Sequence, residues 1–465
     1  MALTPNDILR ISEPVEQMYM DCASQLLINL CKHFKTDKAL ASREWETEKL
    51  SEIGELTSES IEIIAASTGQ SGEAIRKAIT EGMGIEIKGT ERTLSAAAKA
   101  GAIQAPTYSW EASERVKTVV KTLVDQAVED TNIVNTVMLQ STLDRYVNAV
   151  QNAAADEVAI IEKLQSAQDA ASLSTQLAKT QRILNKNAMS VAIGAEARTT
   201  ALRSAISQLA QLGITGYIDR AGHHWSPEAY INMDIRTTVH NAAIQGQQAR
   251  SADYNVTTFQ ISSHPGARPL CAPYQGKFYS WDGTSGTVHD LYGNAYHYEG
   301  IQTTSYGEPA GIFGINCGHF PQTFVDGYNV PRYEPTEDEA ENARLYALSQ
   351  QQRKLERDIR HAKTEALCYD AAGDKEAFAK KAAQIKQKNA QYKEFCAENG
   401  RTPRMDRAQV IGYNRSISSK ANAAAKKVTL PGVPKSGAAI AKSDVVQMLQ
   451  NGPIERKTVK ALKNR

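Results

Sequence analysis

The sequence predicts an α+β protein that is mainly α-helical. Three observations carry this. Hydrophobic residues make up 42% of the 465 residues but aromatics only 6%, which favours Ala- and Leu-packed helices over an aromatic-rich sandwich. Apolar positions recur every three or four residues through most of the chain. One stretch, from Ser262 to His319, breaks that period with β-branched residues and turn formers. A chain this long exceeds one ordinary core, so roughly two to four domains are expected.

Residues 1–105 read as a bundle of short helices. Thr4-Pro5 opens the first, with a hydroxyl as N-cap and proline at the first helical position. Ile8, Ile11, Val15, Met18, Tyr19, Cys22, Leu26 and Leu27 follow at helical spacing, and Pro14 predicts a kink or break among them. A second helix is expected from Ser42 to Ile53, Leu56 to Glu59 reads as a turn into a third, and Ser71 to Ile75 begins a fourth. Residues 106–212 form a long-helix region with Val116, Val119, Val120, Leu123 and Ala127 as one stripe.

At Gly213 the period changes, and residues 213–334 read as a β-rich unit containing one helix. Tyr217 to Trp225 is expected to be a short hairpin, Tyr230 to Asp253 a helix, and Asn255 to Ser262 a strand. Residues 335–400 are expected to be an antiparallel helical hairpin. Thr336 and Glu339 fit a capping box. Leu345, Leu348, Gln352, Leu355, Ile359, Ala362, Ala366 and Tyr369 then step 3-4-3-4-3-4-3 before Gly373 breaks the helix. Residues 401–465 read as a basic, partly disordered tail.

Net charge is +1, yet it is unevenly placed. From Arg401 onward there are 14 Lys and Arg against 3 Asp and Glu, a net +11, which leaves −10 on the first 400 residues. A cationic tail on an acidic body points to a polyanion or an acidic protein surface. Arg401, Arg404, Arg407, Arg415, Lys426, Lys427, Lys457 and Lys460 are the candidate phosphate contacts, and a solvated surface is the plain alternative. Six cysteines are few. Cys22, Cys31, Cys368 and Cys396 sit in helical patterns as small buried hydrophobes. No secretory leader or membrane-length apolar run is visible, so a soluble protein made in a reducing cytoplasm is expected.

The chemistry concentrates in two clusters, His264 with Cys271 and Cys317 with His319. Thiolate and imidazole are zinc ligands, and two separated pairs are the usual way to build a closed structural site. His289 and His297 lie between the pairs as substitutes. The spacings match no standard finger, and the competing reading makes Cys317 a buried small residue and the histidines turn-bonders. Catalytic triples could be drawn from His264, Asp282 and Asp290, but no nucleophile-elbow, zincin or Walker pattern is present. No catalytic residue is therefore assigned, and an enzyme is not expected.

The segments GITGYIDRAGHHW, MDIRTTVHNAA, SSHPGARPLCAPYQGK and GINCGHF, with QQRKLERDIRHAK beyond them, resemble the phage minor capsid protein 2 family. A more distant similarity is to the Mu F-like head morphogenesis proteins. There, Arg268-Pro269-Leu270-Cys271, Gly276 and Asn316-Cys317-Gly318-His319 occupy the family's motif, with His and Cys exchanged at two positions. The resemblance implies a low-copy structural component of the virion head near the portal, acting in head morphogenesis and in DNA packaging or delivery. Its implied partners are portal and capsid proteins, and the charge of the basic tail adds packaged double-stranded DNA as an expected contact. The rival from another class is a metal-dependent nuclease or effector delivered with the genome.

Overall fold

The computed structural model describes residues 3–35, 42–169, 198–210, 217–218, 224–225, 227–334 and 338–428. Seven helical segments build the body: α1 (Pro5–Lys32), α2 (Ser42–Ser51), α3 (Ile53–Thr68), α4 (Ser71–Lys99), α5 (Glu114–Asp169), α6 (198–210) and α7 (Pro227–Asp253). The hairpin helices α8 (Glu339–Ala371) and α9 (Lys375–Glu398) follow, then α10 (Arg415–Ala425). Leu26, Leu30, Ile79, Val124, Tyr146, Val239, Ala366 and Phe378 belong to one continuous apolar core, so the hairpin is fastened to the body rather than projecting freely. Among the described residues no helix is long and apolar enough to cross a membrane.

The local chemistry explains most boundaries. Thr4 and Asp7 bond each other's backbone amides in a full capping box, with Pro5 inside the first turn. α1 runs unbroken through Pro14. Pro14 and Arg10 are both exposed, so the carbonyl that loses its helical donor can meet water. Leu56 to Glu59 do not form a turn; they lie inside α3, where buried Leu56 supplies the packing that local propensity did not reveal. Asp338, not Thr336, caps α8, its side chain accepting from the Glu341 amide at 2.8 Å. Thr336 lies outside the described residues, as do 170–197 of the expected long-helix region. Asp374 caps α9 and also receives Arg203 of α6 at 2.5 Å, tying the hairpin's turn to the body.

Helices α4 and α7 approach closely enough to need glycine on both sides. A β-carbon on Gly82 would stand 2.7 Å from Val239 Cγ1, and one on Gly246 would stand 2.4 Å from Met83 Cγ. Beside this crossing, Asp234 of α7 is largely enclosed and its Oδ2 has no hydrogen-bond partner among the described residues. Burial, then the charge of Asp130 on α5, raises its carboxyl to about 7. Its folded value lies above the unfolded 3.8, so the neutral acid's contribution is full below pH 3.8 and is lost as pH rises through about 7. Asp234→Asn is therefore expected to stabilise the protein by about 1–3 kcal/mol at pH 8 and by much less at pH 4. Thermal unfolding at both pH values checks this.

The β-rich unit has a short antiparallel pair, β1 (Tyr217–Ile218) with β2 (His224–Trp225), and a five-stranded mixed sheet. The sheet uses β3 (Thr258–Ile261), β4 (Phe278–Ser280), β5 (Gly286–His289), β6 (Ala295–Gly300) and β7 (Pro321–Thr323) in the order β5-β6-β4-β3-β7. Only the β4–β6 pair is parallel; β3 sits between β4 and β7, with Phe259 opposite Tyr279 and Thr323. One face packs Phe259, Ile261 and Tyr279 against Ile244 of α7 and against Ile312 and Phe313 of the loop before β7. Gln247 and Ser251 of α7 both bond Thr323 Oγ1, at 3.0 and 2.9 Å, which sets the sheet's angle on the helix.

Candidate metal centre

Two loops meet behind the sheet. The first leaves β3 as Ser262–Gln275, and the second is Gly311–Phe320. Gly266 adopts φ +65° against α8, where a β-carbon would crowd the Leu345 backbone at 3.3 Å. Next to it, Asn342 of α8 grips Ala267 twice, accepting from its amide at 2.7 Å and donating to its carbonyl at 2.8 Å. The second loop turns through positive φ at Phe313 and Asn316. It is held by Ser305, whose hydroxyl donates to the Leu270 carbonyl at 2.6 Å and accepts from the Ile312 amide at 3.0 Å.

These loops bring Cys271, Cys317 and His319 together, all buried, with their ligand atoms within 4.8 Å of one another. The sulfurs are 3.9 Å apart, and Cys317 Sγ is 3.4 Å from His319 Nδ1. A tetrahedral zinc with bonds of about 2.3 Å to sulfur and 2.0–2.1 Å to nitrogen requires edges of about 3.8 and 3.6 Å. The residues present therefore fit the ion. Two further contacts suit such a site. The Phe313 amide donates to Cys317 Sγ at 3.2 Å. Gln275 Oε1 accepts from the His264 amide at 2.7 Å, which identifies it as oxygen, and faces His319 Nε2 at 3.2 Å. The proton of His319 is thus drawn to Nε2, leaving the Nδ1 lone pair toward the sulfurs. The Cys271 thiol, and His319 beside it, hold Cys317 far below the usual thiol range despite burial, and the same contact pushes Cys271 up.

His264 lies next to this trio but not within it. Its ring rests on that of His319 at 4.3 Å between centroids, and its Nδ1 faces the Pro265 carbonyl at 3.2 Å. Gly318 keeps that place open, since a β-carbon there would stand 3.1 Å from His264 Nε2. His289 and His297 are elsewhere, exposed on β5 and β6. Asp282 accepts from the Thr284 amide and hydroxyl, and buried Asp290 accepts from the Tyr292 and Asn294 amides: both carboxylates hold turns. A groove of 740 Å³ lies on the hairpin, between α8 and α9, lined by Asp358, His361, Glu365, Lys381 and Lys388 and by none of these residues.

Sequence reasoning missed Gln275, Asn342 and His240. His240 of α7 bonds the His319 carbonyl at 2.9 Å, and burial lowers its imidazole, so the neutral ring donates. An isolated polar residue on an apolar helix face was the available signal for His240. Of the proposed phosphate contacts, Arg401 is tied to Gln352 and Ser349, at 2.6 and 3.0 Å, and Arg404 to Glu356 at 3.0 Å. Arg407 is half-buried, while Arg415, Lys426 and Lys427 are exposed on and after α10. Lys457 and Lys460 lie outside the described residues.

Residues 3–178 and 173–397 match the phage minor capsid protein 2 family. The chain belongs to that family. It is 31% identical over 221 residues to a structural protein of Lactococcus phage LL-H, an alignment spanning 47% of this chain and 58% of that one. It is 32% identical over 102 residues to a structural protein of Lactococcus phage mv4, spanning 22% of this chain and 82% of that one. The first relative is therefore matched over less than two thirds of its length. No solved structure matches the chain. This minor capsid protein 2 family member is built mainly of helices around a small mixed sheet.

Proposed function

We propose that this minor capsid protein is a low-copy head component beside the portal, acting in head morphogenesis. The helical body and hairpin would be held by portal and shell proteins, and the basic C-terminal residues would meet packaged DNA. The β-rich unit would be kept rigid by one structural zinc on Cys271, Cys317 and His319, with His264 the adjacent candidate for the fourth corner. A zinc there supplies a fixed crosslink between two loops 46 residues apart in sequence.

The observation that carries the structural reading is what surrounds the clustered thiols. Cys271 and Cys317 are packed among Ile244, Phe259, Ile301, Ile312 and Phe313, and Asp282 and Asp290 are spent on turns. Such a site suits holding a shape better than admitting a substrate. Mass spectrometry of intact particles, calibrated against the portal protein, tests the placement. A few copies per particle that co-purify with portal-containing fragments is the expected result. Absence from particles, or a copy number matching the major shell protein, would overturn it. DNA cleavage by purified protein that Cys317→Ala abolishes without unfolding would favour the nuclease rival instead.

A further inference from the structure

The hairpin carries a concentration of like charge that its own fold does not neutralise. Arg353, Arg357 and Arg360 fall at i, i+4 and i+7 on α8, hence along one face over about 10 Å. The segment after α9 crosses this face and adds two more. Arg404 is fixed there by Glu356 at 3.0 Å, and Arg407 by its carbonyl, which accepts from Arg360. Lys363 donates to the Ala408 carbonyl at 2.7 Å and anchors the same crossing. Arg268, from the loop that bears Cys271, closes the row at the end near Arg353.

Lost hydration on the packed side, then one another's charges, hold Arg353, Arg360 and Arg407 below the usual guanidinium range. Among the described residues Glu356 is the carboxylate that acts most on these three, and it is buried and shared between Arg404 and the Tyr392 hydroxyl. Arg268 is turned inward, with Nη1 donating to the Ile315 carbonyl at 2.9 Å and Nη2 shut from solvent on the Cys271 side, so it adds charge to the row from behind. Meanwhile Arg353 and Arg357 are exposed, so an incoming anion can reach the row. Packing guanidiniums together costs Coulomb energy, and an anion recovers it.

We propose that the α8 face bearing Arg353, Arg357 and Arg360, with Arg268, Arg404 and Arg407 adding charge behind it, is a binding track for the phosphate backbone of duplex DNA. A cup converging on one point would suit a single phosphate; charges strung over two helical turns suit successive phosphates of a strand. Guanidinium is the cation that grips phosphate oxygens in pairs. Such contacts position the duplex without reading its sequence. The track deepens the DNA contact of the proposed function and moves it from the distal tail onto the folded hairpin. Binding by isolated protein can be measured whether or not the portal placement holds.

The experiment is fluorescence anisotropy of a mixed-sequence duplex of about 25 base pairs with the full-length protein, titrated at several salt concentrations. The variant Arg353→Gln/Arg357→Gln/Arg360→Gln is expected to bind at least tenfold more weakly. Its plot of log affinity against log salt should be shallower by about 3, one contact per arginine removed. Lys457→Gln/Lys460→Gln should shift affinity by less than the triple variant does. Should the triple variant fail to fold, Arg353→Gln/Arg357→Gln decides the matter, because both side chains are exposed; a slope change of about 2 is then expected. Unchanged affinity and slope in the folded variant overturn the proposal. So does loss of binding to an acidic virion protein with DNA binding intact.

Discussion

Cys317→Ala is expected to yield protein without bound zinc and with its β-rich unit destabilised by more than about 4 kcal/mol, the range typical of losing a metal site. The wild type should carry one equivalent by elemental analysis, and a strong chelator should lower its thermal midpoint toward that of the variant. The size follows from what the site crosslinks. Cys271 and Cys317 lie on separate loops that are otherwise joined by hydrogen bonds, such as Arg268 Nη1 to the Ile315 carbonyl at 2.9 Å and the Phe320 amide to Ser262 Oγ at 2.8 Å, so an ion would be the strongest link between them. Cys22→Ala is the control: also a buried thiol, in a helix, it should cost only about 1 kcal/mol and leave zinc unchanged. Gln275→Ala should keep the fold and weaken zinc binding about 10–100-fold, because it frees the His319 tautomer. A wild type without zinc, together with a Cys317→Ala penalty no larger than the control's, would show the pair to be ordinary core thiols.

Arg250→Met is expected to cost about 3–5 kcal/mol, the penalty for leaving buried charge uncompensated. Arg250 of α7 is 1% exposed, and it binds Glu91 of α4 at 2.6 Å, Asp253 at 3.1 Å and the Tyr108 carbonyl at 3.3 Å. Its guanidinium also lies 4.9 Å from the Tyr254 ring. Methionine replaces the stem but removes the cation Glu91 and Asp253 share, leaving Glu91 the Tyr254 hydroxyl at 2.7 Å and Asp253 the more distant Arg115 at 3.6 Å. Burial pushes Glu91 up, yet Arg250 and Tyr254 bring its carboxyl below the usual range. That contribution is present above the unfolded value of 4.5 and is lost as pH falls through the folded one. The variant should therefore lose less stability on acidification than the wild type. Lysine should rescue poorly, since one ammonium cannot make the planar, multi-partner contact. Chemical denaturation at pH 7 and pH 4 reads both effects; a loss under 1 kcal/mol at pH 7 would show that water compensates the acids.

What could be read beforehand was whatever repeats locally. The 3.6-residue period marked α1, α7 and both hairpin helices, and the seam from Leu345 to Tyr369 is half-buried at its start and buried from Ile359 onward. The Cys/His spacing marked three groups that do converge, Cys271, Cys317 and His319. It also named His264, whose ring the fold sets against that of His319; pattern cannot express that placement, because the ring's orientation depends on Pro265 and Gly318 together. Nor could it reach Asn342 or His240, whose partners lie 75 and 79 residues away. The boundary errors have a similar origin: Leu56 is helical because of the core it enters, and Asp338, which caps α8, stands in a run of several capable side chains.

The double bond between Asn342 and Ala267 has a mechanical meaning. A single hydrogen bond would fix a distance and leave a swivel; a donor and an acceptor on the same amide also fix a direction. Helix α8 therefore cannot rotate about its own axis without dragging the thiol-bearing loop with it, and α7 grips the opposite loop through His240. Two long levers share one joint, and twisting either one is resisted there.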